Sequence, residues 1–247
     1  MEVHTHSHTE RKKWTHYLWE FLMLFLAVFC GFLAENEREH MIEHKREKEY
    51  MRSLIEDLQT DTVNLNREML TGHIIRTRIE NLISFLNNES SKDSAIQLYK
   101  LNNKVSRVVN VNFEDRTSSQ LKNAGNMRLI RNRTVADSIR GYWEGIKTME
   151  DISTRLEEMR IKAADIGAQI FHNKYIKFSD PLDPIHSDIS ISPGAKLINS
   201  DPELLALYSN RRQISLTVLN NYILSMKKVY SSAINLLTLI KQEYRLE

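Results

Sequence analysis

The 247-residue chain carries 34 Lys and Arg against 32 Asp and Glu, and this balance excludes a broad basic surface for nucleic acid. Its single cysteine excludes a disulfide framework and a cysteine-based metal site. Only 7 glycines and 4 prolines occur, and long stretches without either residue favour helices. The composition therefore predicts an all-α protein that uses no cofactor and binds no nucleic acid.

Residues 1–16 are predicted to form a short cytoplasmic tail. His4, His6 and His8 stand at alternate positions in it. Imidazoles spaced in this way on a flexible tail can chelate zinc, nickel or copper, so a weak metal site is one interpretation. The alternative interpretation is a solvated tail in which the histidines have no role.

Residues 17–34, YLWEFLMLFLAVFCGFLA, form an apolar segment in which Glu20 is the only charged side chain. As a helix these residues reach ~27 Å, close to the ~30 Å of a bilayer core. Cleavage by signal peptidase needs small residues before the cut. Cleavage after Gly31 or Ala34 would instead place Phe29 or Phe32 at such a position, so we predict an uncleaved signal anchor.

The charges that flank this segment predict its orientation. Arg11, Lys12 and Lys13 lie just before it, whereas Arg38 is the only equally near basic residue after it. Because lysine and arginine concentrate on the cytoplasmic side, the N-terminus is predicted in the cytoplasm. The protein is then a single-pass membrane protein whose C-terminal body lies outside the cytoplasm.

Three residues of the segment form a candidate membrane or oligomer face. Ala27 and Gly31 are small residues four positions apart, a spacing that lets helix backbones approach each other. Glu20 has two interpretations: a carboxylate that reaches the headgroups or pairs with Lys13 or His16, or a buried functional acid that faces partner helices.

Residues 35–50 are dominated by charged side chains and are predicted to form a solvated helical stalk. Within the stalk, HMIEH at positions 40–44 matches the spacing by which inverted zinc peptidases bind zinc. A catalytic zinc also needs a third ligand and a cleft, and neither is recognisable. We interpret the match as coincidence and predict that the protein is not an enzyme.

An apolar stripe begins at Met51 and predicts a coiled coil or a helical bundle. Its positions alternate in spacing between three and four residues, with Thr62, Gly72 and Arg76 as polar or small interruptions. The proposed helix-packing seam consists of Met51, Ile55, Leu58, Leu65 and Met69, followed by Ile79, Ile83 and Leu86. Gly72 is the predicted bend of this helix.

This opening part of the chain, residues 11–70, resembles a family of short bacterial single-span proteins that is catalogued as a domain of unknown function. The resemblance rests on Glu20 at the entry of the span, Asn36 at its exit, the charged stalk, and the segment formed by Tyr50, Leu54, Asp57 and Leu58. It implies a membrane protein with a helical exterior body and brings no activity with it.

Short elements are predicted to follow the stripe. These are helices over 94–109 and 117–124, a brief strand-like run over 108–113, and a helix end at Gly125. Arg128, Arg131, Arg133 and Arg140 then cluster around a turn. Four arginines can bind a phosphate or carboxylate, and the alternative is that they pair with nearby Asp and Glu.

Two long amphipathic helices complete the prediction. The first covers 135–170, with Thr134 as its cap and with Tyr142 and Trp143 as core anchors. A long loop over 177–200 separates it from the last helix, which Asp201 caps and Pro202 begins. Residues 51–247 are thus predicted to form an antiparallel bundle of long helices.

The sequence leaves three functions open. The first is a membrane-anchored scaffold or assembly subunit that binds the bilayer and either itself, as a homo-oligomer, or a larger envelope complex. The second is a sensor that binds a small ligand at the arginine-rich turn. The third is a proton- or ion-coupled subunit that uses Glu20.

Overall fold

The computed structural model describes residues 14–88, 94–105, 109–123, 125–180 and 189–246. His4, His6 and His8 lie outside these ranges. Within them the chain is all-α with almost no strand, which confirms the predicted fold class. It divides into two compact units, Met1–Tyr50 and Met51–Glu247, and we call the second unit the body.

Three long helices dominate the described chain, and short elements connect them. The elements are α1 (Trp14–Asn87), α2 (Ala95–Lys104), α3 (Arg116–Asn123), α4 (Arg133–Ile170), α5 (Pro202–Tyr244), the 3₁₀ turns Asn126–Leu129 and Asn173–Tyr175, and the strands β1 (Ile176–Phe178) and β2 (Ile189–Ile191).

Contacts along α5 show that it runs antiparallel to the end of α1. The Ser209 hydroxyl, near the start of α5, donates to Asn87 Oδ1 at 2.9 Å, at the end of α1. Further along α5, Ile223 lies against Gly72, which is earlier in α1. The two helices therefore pass each other in opposite directions, as predicted for the bundle.

Helices α4 and α5 form the second antiparallel pair. Gly167, near the end of α4, lies 3.5 Å from the Tyr208 ring, measured from the position of a Cβ atom. Gly145, earlier in α4, faces Val229 at 3.4 Å by the same measure. Each long helix of the body thus buries its apolar side on a neighbour, which is what an amphipathic helix requires in water.

The helix ends confirm two predictions and correct one. Gly125 adopts a left-handed φ of 65° after α3, a backbone state that glycine reaches without steric cost. Pro202 begins α5 as predicted, and Asp201 occupies the N-cap position, although its side chain makes no capping hydrogen bond. Thr134, however, does not cap α4, because the Asn132 side chain accepts the hydrogen bond from Val135 N at 3.2 Å.

The segment predicted as a long loop over 177–200 contains β structure. Strands β1 and β2 pair antiparallel, with Lys177 opposite Ser190. The alternation of apolar and polar residues in Ile189–Ile191 is the period of a strand, but three residues are too few for the pattern to stand out. The described part of the predicted run over 108–113 is not a strand.

After Leu58 the buried stripe of α1 keeps the predicted positions Leu65, Ile79 and Leu86 but moves by one residue at the positions between them. Asp61 is 2% exposed, whereas Thr62, the predicted seam position, is only half-buried. Ile75 is likewise buried in place of Arg76. A spacing of three or four residues fixes the period of the stripe, and the neighbouring helices decide which of two adjacent residues faces them.

Gly72, the predicted bend, lies within a helix that continues to Asn87. Its role is close packing: a Cβ atom at this position would lie 2.9 Å from Ile223 Cγ1. Gly141 in α4 offers a contrast, because a Cβ atom there would meet nothing within 4 Å.

We predict opposite effects for alanine at these two glycines. Gly72→Ala forces Ile223 to shift and should destabilise the body by roughly 1 kcal/mol net, because overpacking outweighs the gain in helix propensity. Gly141→Ala keeps only that gain and should stabilise the body by about 0.5–1 kcal/mol. Thermal unfolding of the full chain in detergent measures both, and a stabilising Gly72→Ala would contradict the packing argument.

Candidate functional site

The apolar N-terminal part of α1 is long and apolar enough to span a membrane. An 18-residue window there has a mean hydropathy of 2.0, and none of it is buried within the protein. A large exposed apolar surface of this kind is rare in a soluble monomer, because it gains nothing from contact with water. This segment is therefore a candidate binding surface.

The predicted membrane or oligomer residues share one side of the segment. At 3.6 residues per turn, Glu20, Ala27 and Gly31 lie within an arc of about 40°. Gly31 is open, since a Cβ atom there would meet nothing within 4 Å. We call these three residues the small-residue face.

The opposite side of the segment is aromatic. The rings of Phe21 and Phe25 stack with centroids 6.3 Å apart, and those of Phe25 and Phe29 with centroids 5.9 Å apart. This aromatic face is centred roughly 140° around the helix from Glu20. The segment therefore has one aromatic side that suits lipid chains and, away from it, the small residues Ala27 and Gly31, which suit the approach of another backbone. Leu24, 72% exposed, also lies on the side of the small residues.

Glu20 contacts His16 one turn earlier. His16 Nε2 lies 3.0 Å from Glu20 Oε1, and the two side chains are 46% and 54% exposed. This contact matches the predicted pairing with His16. It places an ion pair or a hydrogen bond at the N-terminal end of the small-residue face.

The predicted helix-packing seam lies inside the body. Met51, Ile55, Leu58 and Leu65 are all buried, and Met69 is half-buried because the stripe moves by one residue there and turns Glu68 inward beside it. The Glu68 side chain is 14% exposed. Because the seam packs within the body's own core, it offers no surface for a second protein.

A different side of α1 is apolar and exposed. Val63, Leu70 and Ile74 are 65%, 60% and 53% exposed, and helix geometry places them within an arc of about 40°. We call these three residues the outer apolar patch. Single exposed aliphatic residues are ordinary, but three in one line on a helix form a small association surface.

The arginine cluster does not form a pocket. Arg128, Arg131, Arg133 and Arg140 are all exposed. Arg140 Nη1 lies 2.8 Å from Asp137 Oδ1, and Arg133 Nε lies 3.7 Å from Asp137 Oδ2. Two of the four charges are thus paired with one aspartate, as in the alternative interpretation of this cluster.

The two histidines that match the zinc-peptidase spacing contact glutamates of their own helix. His40 Nδ1 lies 3.9 Å from Glu43 Oε2, and His44 Nδ1 lies 3.4 Å from Glu47 Oε2. Across the described ranges, no three His, Cys, Asp or Glu side chains are grouped so that they can hold a metal ion.

Trp143, predicted as a core anchor beside Tyr142, is only half-buried. Lys122 Nζ lies over its ring, 4.3 Å from the centroid. Tyr142 is buried, as predicted, at 2% exposure. Adjacent helical positions point about 100° apart, so only one of the two rings can enter the core.

The body contains a buried pair of acids on α1 that the sequence pattern did not single out as a pair. Asp57 is 3% exposed, and its Oδ1 accepts a hydrogen bond from Arg116 Nη2 at 2.9 Å. Its Oδ2 accepts from Thr117 N at 3.1 Å. Thr117 lies in the first turn of α3, so Asp57 caps that helix from another element and faces the positive end of its dipole.

Asp61, one turn further along α1, joins two other segments. Its Oδ1 accepts from the backbone N–H of Glu114 at 2.8 Å, and its Oδ2 accepts from the Tyr142 hydroxyl at 2.7 Å. Burial, together with the nearby charges of Asp57 and Glu114, raises the pKa of Asp61 to about 6 although both hydrogen bonds lower it. Burial and Asp61 also raise the pKa of Tyr142.

We call Asp57 and Asp61 the carboxylate pair. Asp57 belongs to the segment that carries the family resemblance, but a role for Asp61 was not predicted. The available signal was its position between Leu58 and Leu65, on the apolar stripe, where a charged residue is buried only if it has partners. All of these hydrogen-bond partners hold α1, α3 and α4 together.

Comparisons with family models, with curated proteins and with solved structures found no match to this chain.

We predict that Asp61 makes the body more stable in mild acid. Its pKa is about 6 when folded and about 4 when unfolded, so the folded state binds more protons between these values. Stability should therefore rise as the pH falls from about 6 to about 4, by on the order of 2–3 kcal/mol at most from this group.

Asp61→Asn provides the check. The amide can still accept from Glu114 N while it exchanges the Tyr142 contact for a donated hydrogen bond, so the variant should fold. Thermal midpoints of the full chain in detergent, measured from about pH 7 to about pH 5, should increase more for the wild type than for Asp61→Asn. Parallel curves for the two proteins would contradict the assignment.

Proposed function

We propose that this protein is a membrane-anchored, non-enzymatic helical scaffold or assembly subunit that associates with a second copy of itself through the small-residue face. The observation that carries the proposal is the division of the apolar segment into one side with Glu20 and the small residues Ala27 and Gly31 and another side with stacked aromatic rings. A helix that only anchors a body needs no such division, since lipid chains surround it evenly.

The energetics of a bilayer support association on that side. In lipid, helices gain little from apolar contact as such, and close approach at small residues supplies the packing energy. Glu20 adds a polar group for which another protein surface is a better partner than hydrocarbon. Both features favour a neighbour on the same side of the helix.

The body supports the same proposal independently. Its predicted seam packs into its own core, while the outer apolar patch of Val63, Leu70 and Ile74 stays exposed. A modest apolar patch on a helix is typical of a weak or secondary contact. We propose that it adds to an association that begins in the membrane.

In this proposal the tail is cytoplasmic and the body lies in the periplasm of a bacterium, at the inner membrane. The three basic residues before the segment support this orientation. Membership of the uncharacterised single-span family, inferred from residues 11–70, stays a prediction that agrees with this placement.

A proton- or ion-coupled role for Glu20 is the second candidate, and its contact with His16 at 3.0 Å is the observation that favours it. Two titratable groups at the entry of an apolar segment can pass a proton between them. Glu20→Gln separates the two functions, because it should leave a scaffold assembled and functional but stop proton or ion coupling.

We predict that bulky residues on the small-residue face separate the oligomer. The double change Ala27→Leu and Gly31→Leu should shift the full chain in detergent from a dimer or larger species to a monomer, measured by light scattering. The reason is steric, since added side chains hold the backbones apart. The body's thermal midpoint should not change.

Phe25→Leu on the aromatic face is the matched control and should keep the oligomer. The single cysteine, Cys30, beside Gly31, gives a second readout, because mild oxidation should link two wild-type chains and fewer chains of the double variant. A monomeric wild type at every detergent ratio would contradict the proposal.

A further inference from the structure

The body contains a cavity of about 410 Å³ between α1, α4 and α5 that is partly open to solvent. Its inner wall is aliphatic and buried, and is formed by Ile75, Ile79, Val105, Val109 and Leu219. A volume of this size lies within the range of pockets that bind small organic ligands. Most of its lining therefore suits a hydrocarbon chain.

One charged side chain in the wall has no opposite charge. Arg212 lines the cavity and is 4% exposed. Its Nε and Nη2 donate to the Tyr208 hydroxyl at 2.9 and 2.7 Å, and Nη2 also contacts Asn102 Oδ1 at 3.3 Å. Both partners are neutral, and Arg212 forms no ion pair within the part of the chain that the structure describes.

The other charges of the lining are accounted for differently. Arg160 and Glu157 bind each other through two hydrogen bonds of 2.6 and 2.5 Å, so this pair is neutral as a unit. Glu158 is exposed to solvent. Among the described residues that line the cavity, Arg212 is thus the one buried charge without a counter-charge.

A buried guanidinium without a counter-charge is costly, because it has lost its hydration and gained only neutral hydrogen bonds and a contact with the Tyr208 ring, whose centroid lies 5.0 Å from its Cζ. The contacts with Tyr208 and Asn102 hold Arg212 in place from one edge. Among the described residues, no hydrogen bond uses its Nη1. An anion in the cavity could accept hydrogen bonds from Nη1 and would supply the missing negative charge.

We propose that this cavity binds an aliphatic carboxylate, with the carboxylate on Arg212 and the hydrocarbon chain against Ile75, Ile79 and Leu219. One guanidinium balances the charge of one carboxylate, which can accept hydrogen bonds from the two N–H groups of Nη1. The buried aliphatic wall favours a ligand with a hydrocarbon chain over a small hydrophilic anion. The site is separate from the small-residue face and adds a ligand to the proposed scaffold.

The test uses the full chain in lipid nanodiscs and measures octanoate binding by titration calorimetry, with empty nanodiscs titrated in parallel to subtract partition into lipid. Saturable binding of one octanoate per chain is expected. Octanol has the same chain without the charge and should bind at least roughly tenfold more weakly, which is the usual size of a charged hydrogen bond. Equal binding of both probes would overturn the proposal.

Two variants and a control assign the binding to this cavity. Arg212→Gln should lose octanoate binding by roughly tenfold or more. Leu156→Trp keeps Arg212 but fills the cavity wall, so it should also lose binding, and it covers the case in which Arg212→Gln fails to fold. Arg155→Gln removes a charge from α4, the helix of Leu156, at a position that does not line this cavity. This variant should bind octanoate as the wild type does.

Wild-type affinity in a folded Leu156→Trp variant would overturn the proposal, since the ligand would then lie elsewhere. No saturable signal above that of empty nanodiscs would overturn it as well. Oligomer mass measured in the same samples keeps this result separate from the proposed scaffold function.

Discussion

The body depends on the burial of two like charges one helical turn apart. Asp57 and Asp61 are 3% and 2% exposed on α1, and isolated carboxylates at such depth would be strongly unfavourable. Each is stabilised by donors that only the folded chain brings together: Arg116 and Thr117 for Asp57, and Glu114 and Tyr142 for Asp61. Removal of one donor leaves a buried charge unsatisfied, so these contacts specify where α3 and α4 meet α1.

Helix α1 also contains two parts whose surfaces differ in chemistry. Its first part is apolar on every side, with bulky rings on one face and small residues on the other, which is what contact with lipid and a neighbouring helix favours. Its later part has a single buried stripe, as a helix in water requires. The proposed scaffold function rests on the first part and the proposed ligand site on the second, so the two can be tested with separate variants.

The proposed carboxylate site and the carboxylate pair both contain buried charges, but the partners of these charges differ. Asp57 is a buried charge with its counter-charge supplied by Arg116, and it therefore has a structural role. Arg212 is a buried charge whose partners Tyr208 and Asn102 are neutral, and it therefore has capacity for an anion. Which role a buried charge plays is decided by its partners and not by its burial.

The sequence by itself determined the helical class, the apolar segment, the period of the buried stripe and the ends at Gly125 and Pro202, because these follow from local periodicity and backbone preference. Only the tertiary structure decided that Asp61 rather than Thr62 faces inward, that Gly72 serves close packing against Ile223, and that Arg212 meets an apolar cavity. These features depend on contacts between residues far apart in the chain, such as Asp61 with Tyr142. No local sequence pattern predicts which distant residue a side chain will contact.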